Sequence, residues 1–86
     1  IHIAGYVVVR QRPPTAKGTV FASLEDESGL LDMILHKNVY EKYRDTFLEH
    51  SFLKVRGTLQ REGDAISLLV RSLAPLFAAE GGSVPD

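Results

Sequence analysis

The sequence predicts an all-β fold with one helix: a five-stranded barrel whose helix lies between strands 3 and 4 and plugs one end. Three observations carry this. Apolar and polar residues alternate in short stretches along most of the chain, the period of half-buried strands. Over residues 39–48 the apolar spacing lengthens to three and four, the mark of a helix with one buried side. Three strands before that helix and two after it, in 86 residues, leave no room for parallel strand–helix–strand units.

Residues 1–11 read as the first strand, with Ile1, Ile3, Val7 and Val9 on one parity and His2, Tyr6 and Arg10 on the other. Gly5 has no side chain to pack and suggests a bulge or bend, as a strand curling into a barrel needs. Residues 12–18 are a loop, longer than a simple hairpin turn, stiffened by Pro13 and Pro14 and basic. Residues 19–25 form the second strand: Val20, Ala22 and Leu24 on one face, Thr19, Phe21, Ser23 and Glu25 on the other. Asp26-Glu27-Ser28-Gly29 is a tight turn. In the third strand, residues 30–36, Leu31, Met33 and Leu35 point inward and Asp32, Ile34 and His36 outward.

Val39, Tyr40, Tyr43, Phe47 and Leu48 then share one side of a helix and seal the barrel bottom. Asn38, with Glu41 three residues later, reads as its start. Residues 52–60 return to strand, with Leu53, Val55, Gly57 and Leu59 inward and Lys54, Arg56 and Thr58 outward. Arg61-Glu62-Gly63-Asp64 is a hairpin turn, and residues 65–73 are the last strand. Residues 1–74 are thus one domain and 75–86 a linker or tail, where Gly81-Gly82-Ser83 is expected to fray.

A hydrophobic content of 44% with 24% charged residues is globular. The chain has no cysteine, which rules out disulfides and thiolate metal sites and suits a cytoplasmic location. No apolar run is long enough for a membrane span. Because the chain starts at Ile1, within a strand, it reads as a piece of a longer protein. The net charge of −1 hides a pattern. Arg10, Arg12 and Lys17 are the charged residues of positions 1–24. Glu25, Asp26, Glu27 and Asp32 come next with no base among them, and residues 33–61 are again net basic. Such a distribution leaves room for one basic face.

Catalytic motifs are missing. His2, His36 and His50 lack the paired spacing of zinc ligands. Glu25-Asp26-Glu27 sits on a turn and reads as a solvated or turn-capping cluster. Ala16-Lys17-Gly18 lacks the glycine-rich lead and the Lys-Ser/Thr pair of a phosphate loop. No serine has a recognisable catalytic partner. The expectation is a domain with no active site, no metal and no cofactor of its own.

The element order is that of the oligonucleotide/oligosaccharide-binding (OB) fold, whose strand 2–3 face and loops 1–2 and 4–5 bind ligand. At Arg10–Gly29 the likeness sharpens. Thr15-Ala16-Lys17-Gly18, then Phe21-Ala22-Ser23-Leu24-Glu25-Asp26-Glu27-Ser28-Gly29, resembles the OB domain of the bacterial DNA polymerase III alpha family, most of all its error-prone, damage-tolerant branch. Val39–Arg44 and Val55–Gly63 agree, so the resemblance covers about residues 3–73. The Phe-x-x-Leu-x-Asp-x-x-Gly element is also shared with the anticodon-binding domains of aspartyl-type tRNA synthetases. One departure is Asp32, which puts negative charge on the expected binding face.

The resemblance implies a module that holds single-stranded DNA for a parent polymerase during replication, repair or translesion synthesis. The parent would transfer nucleotides with magnesium in another domain. Arg10, Arg12 and Lys17 would contact phosphates from the loop, and Phe21 would stack on a base. Lys54, Arg56 and Arg61 are read as sharing the outer parity of strand 4 or its turn and as further nucleic-acid contacts, with Arg61 completing a clamp because loop 4–5 lies near loop 1–2 in this architecture. The alternatives are an ordinary solvated loop, Phe21 packed beneath that loop, and strand 4 cations pairing with neighbours such as Glu25 and Glu62. Two other functions stay open: docking of an accessory replication or damage-bypass protein, and binding of a tRNA anticodon.

Overall fold

The structure is a computed structural model and describes residues 1–14 and 17–76. Five strands and one helix occur in the expected order: β1 (His2–Gln11), β2 (Val20–Asp26), β3 (Gly29–Leu35), α1 (Lys37–Glu49), β4 (Phe52–Glu62) and β5 (Ala65–Pro75). They close into a barrel with the neighbour order β1-β2-β3-β5-β4. The predicted fold class therefore stands, with the helix between strands 3 and 4. Thr15 and Ala16 of the loop, and the tail from residue 77 on, lie outside the described residues.

β1 serves two walls. Its first half, His2–Tyr6, pairs antiparallel with Phe52–Arg56 of β4, and its second half, Tyr6–Gln11, pairs with β2. Gly5 sits where the strand passes between the two. A Cβ there would collide with the Glu25 carbonyl oxygen, so only glycine allows this approach. Gly57 plays the same part between β4 and the Leu69 carbonyl of β5. The barrel closes through a parallel pair, Asp32–Ile34 of β3 beside Ser67–Leu69 of β5. Sequence reasoning had no parallel strands in view. This pair needs no strand–helix–strand unit, because the chain reaches β5 only after α1 and β4.

The inward residues are those that alternation selects. Val20, Ala22 and Leu24 of β2, Met33 and Leu35 of β3, Leu53 and Val55 of β4, and Leu68, Val70 and Leu73 of β5 are all buried. Removing such a side chain from water contributes roughly 1.5–3 kcal/mol each. Tyr40 and Phe47 of α1 join them, with ring centroids 6.0 Å apart in an edge-to-face arrangement.

Four expectations need correction. The β1 bulge falls between Val7 and Val9, not at Gly5: Val7 pairs with Leu24 but Val9 with Ser23, so Val8 is the extra residue. Parity flips there, and Val9 faces out. The helix starts at Lys37, one residue before Asn38, and its N-cap, His36, makes no side-chain cap bond. Leu48 is about half exposed. It lies one step round the helix from the buried Phe47, at the edge of the buried stripe, and the helix departs from helical geometry at Tyr43 (φ −110°, ψ 16°). Leu59 is also exposed, because the β4–β5 hairpin runs on past the barrel mouth.

Candidate nucleic-acid interface

On β2, Val20, Ala22 and Leu24 fill the barrel, so Phe21 and Ser23 must point out. The register extends this outer row across the wall. Gln11 of β1 lies beside Phe21, and Phe21 beside Ile34 of β3. Val9 lies beside Ser23, and Ser23 beside Asp32, which neighbours Ser67 of β5. Together with Glu62 near the β4–β5 turn, these residues line an open groove of about 370 Å³. Phe21 is 38% exposed within it. The groove runs from the root of the loop between β1 and β2 to the root of the loop between β4 and β5. An aromatic face in a shallow trough of this size suits a planar base.

The groove floor carries no cation. Its charged residues are Asp32 and Glu62, both on the outer face. The Ser23 hydroxyl donates to Asp32 Oδ1 at 3.3 Å. The outward Asp32 that the sequence marked as a departure thus sits where it was expected.

The loop cations take different positions. Arg10 lies after the bulge, so it turns toward the barrel end while staying exposed. Its Nη2 donates to the carbonyl oxygens of Phe47 (3.0 Å) and His50 (3.1 Å), and its guanidinium lies 5.1 Å from the Phe47 ring centroid. Arg10 thereby answers the last, unpaired carbonyls of α1, whose own last turn has no basic residue. Arg12 stacks its guanidinium over Tyr40, 5.1 Å from the centroid, and holds the loop against the helix. Its donors carry no hydrogen bond to the described residues. Lys17 is exposed and left-handed (φ 55°), and with Gly18 (φ 88°) it turns the chain into β2.

The strand 4 cations are scattered. β4 neighbours neither β2 nor β3 in the closed order, so Lys54 and Arg56 project from a different wall than Phe21. Arg56 Nε donates to Ser72 Oγ at 3.3 Å. Arg61 does not share their parity. It pairs with Ile66 and lies on the hairpin face of Leu59, opposite to Glu62 and the groove.

Sequence reasoning missed Val9, Gln11, Ser67 and Glu62 as groove residues, because β1 register after an unmarked bulge and the β3–β5 pairing cannot be read from alternation. It also missed Lys37. Contact between the Lys37 side-chain stem and Gly18 places this lysine beside the Lys17 turn. Among the described residues no three His, Cys, Asp or Glu side chains are grouped to hold a metal ion. No described helix is long and apolar enough to cross a membrane.

Residues 1–76 match the family described as OB-fold nucleic acid binding domain. The chain is 44% identical over 79 residues to the error-prone DNA polymerase of Anaeromyxobacter dehalogenans, covering 92% of this chain and 7% of that one. It is 45% identical over 78 residues to the error-prone DNA polymerase of Dechloromonas aromatica, with 91% and 8% covered. The Bdellovibrio bacteriovorus error-prone DNA polymerase is 37% identical over 76 residues, with 88% and 7% covered. The chain thus spans less than a tenth of the length of these relatives. Among solved structures, the S. pombe Stn1–Ten1 complex superposes with a TM-score of 0.74 at 13% identity, covering 93% of this chain and 60% of that one. Asparaginyl-tRNA synthetase from Pyrococcus horikoshii gives 0.69 at 20% identity, with 86% and 19% covered. At such identities these two speak for the fold alone.

Proposed function

The chain belongs to the OB-fold nucleic acid binding domain family, and on that premise we propose that it holds single-stranded DNA in the outer groove of β1, β2, β3 and β5. The single observation that carries this reading is Phe21, exposed at the centre of a groove flanked by both loops. A base stacks on the Phe21 ring, and the apolar side chains of Val9 and Ile34 line the trough beside it. Arg12, Lys17 and Lys37 neutralise phosphates at the loop end. Arg10 contributes chiefly to the fold, because its Nη2 is held by the carbonyl oxygens of Phe47 and His50 at the end of α1. With one aromatic platform and two carboxylates in the groove, binding is weak, tolerant of sequence and sensitive to salt.

The parent protein of this reading is an error-prone DNA polymerase of the polymerase III alpha type, supported by the relatives at 37–45% identity. The domain positions template strand in the cytoplasm, and nucleotide transfer with magnesium takes place elsewhere in that protein. The test is a fluorescence-anisotropy titration of labelled single-stranded DNA with the wild-type chain and Phe21→Ala. Loss of one stacked base predicts roughly 5- to 150-fold weaker binding for the variant. Equal binding by both proteins contradicts the reading. A strong preference for a tRNA anticodon stem-loop over plain single-stranded DNA redirects it to RNA.

A further inference from the structure

A second groove, of about 440 Å³, opens where β1 passes from β4 to β2. It is lined by Gly5, Tyr6 and Phe52 and rimmed by Glu25, Asp26 and Glu27. Nucleic acid has no use for it, because its rim repels phosphate. We propose that this groove docks a lysine- or arginine-bearing segment of a partner protein.

The floor is aromatic and already assembled. The Tyr6 and Phe52 rings stack at 4.5 Å with an interplanar angle of 13°, and Tyr6 remains 53% exposed. Phe52 holds Tyr6 in place, so its ring needs little ordering when a ligand arrives. A ring face of this kind attracts a guanidinium or an ammonium through its quadrupole. Gly5 keeps the floor open beside it, since the close approach of the Glu25 carbonyl excludes any side chain at that position.

The rim supplies the matching charge. Glu25 lies directly across from Tyr6 on β2. Among the described residues neither Glu25 nor Glu27 has an ion-pair or hydrogen-bond partner, so both carboxylates are available to an incoming cation. Asp26 is turned to Ser28, accepting bonds from its N–H and hydroxyl at 2.8 Å, and adds its charge to the rim from there. Lys54, paired with Ala4, bounds the groove on the β4 side with a like charge. The partner's cation is therefore directed toward the Glu25–Glu27 side of Tyr6. An aromatic floor beside the unpaired carboxylates of Glu25 and Glu27 fits a basic peptide.

The test is fluorescence anisotropy with a short fluorescein-labelled Gly/Arg peptide and a Gly/Gln control, added to the 86-residue chain at low salt. The Arg peptide should bind and the Gln control should not. Glu25→Gln/Glu27→Gln, which changes charge and not shape, should weaken binding about tenfold or more. Tyr6→Leu should weaken it roughly threefold, and Phe21→Ala should leave it unchanged. Circular dichroism confirms that each variant is folded. Absence of binding, indifference to the double Gln variant, or equal loss in Phe21→Ala overturns the proposal. Sedimentation velocity covers the remaining occupant: a dimer that Tyr6→Leu dissolves would assign the groove to a second copy of the chain and overturn it as well.

Discussion

Arg10 and Phe47 meet twice: the guanidinium donates to the Phe47 carbonyl oxygen at 3.0 Å and lies 5.1 Å from the centre of the same residue's ring. A strand residue thereby closes the helix that plugs the barrel. The contact joins the end of β1 to the end of α1 and replaces the C-terminal cation that α1 lacks.

Arg10→Ala is therefore expected to lower stability by about 1–2 kcal/mol, from two charge-assisted hydrogen bonds in a partly exposed place. Urea unfolding measures it. The folded fraction should still bind single-stranded DNA nearly as wild type does, whereas Arg12→Ala/Lys17→Ala should bind more weakly and with a shallower dependence on salt.

Asp32 opposes the proposed ligand. A carboxylate about 7 Å from a phosphate in a water-like medium costs about 0.6 kcal/mol. Asp32→Asn should thus tighten single-stranded DNA binding roughly threefold at low salt, and the gain should fade as salt is raised. Anisotropy titrations at two salt concentrations read both effects. No gain at low salt would place the phosphates away from the groove floor.

The glycines separate two kinds of constraint. Gly57→Ala forces a Cβ into the Leu69 carbonyl and should cost about 1–3 kcal/mol, because backbone cannot step aside cheaply. Gly63 has open space around it and only its φ of 60° to defend, so Gly63→Ala should cost about 1 kcal/mol. Denaturant midpoints of the two variants give the order.

Asp26 sets an acid limit on the β2–β3 turn. Hydrogen bonds from the Ser28 hydroxyl and then the Ser28 N–H hold its carboxyl below the usual carboxylate value. A folded-state value below the unfolded one means that this contribution is fully present above about pH 4 and is lost as pH falls through the folded value. A carboxyl carbon NMR titration should place the Asp26 midpoint below that of aspartate in an unstructured peptide. Ser28→Ala should move the midpoint upward.

The barrel was legible because alternation is a strong signal wherever one face is buried. Met33 and Leu35 against Asp32, and Leu53 and Val55 against Lys54, each come from period two alone. Register was not legible. Val7-Val8-Val9 is uniformly apolar, so nothing in it marks Val8 as the extra residue, and the direction of Arg10 depends on that one residue. Leu48 was misplaced because apolar spacing does not say how wide the buried stripe is: Phe47 is buried and Leu48, next to it, lies at the edge. Groove residues drawn from strands far apart in sequence, such as Gln11, Asp32 and Ser67, become neighbours only through pairings that the closed barrel establishes.

The proposed function has DNA lying over Phe21 on the outer wall and leaving the β4 wall alone. The most direct measurement is a ¹H–¹⁵N correlation spectrum of the labelled chain, titrated with a short oligothymidine. Amide shifts are expected to cluster at Gln11, Phe21, Ser23 and Ile34 and at the Lys17–Gly18 turn, with Lys54 and Arg56 unmoved. Shifts centred on Lys54 and Arg56, or no shifts at low salt, would contradict it.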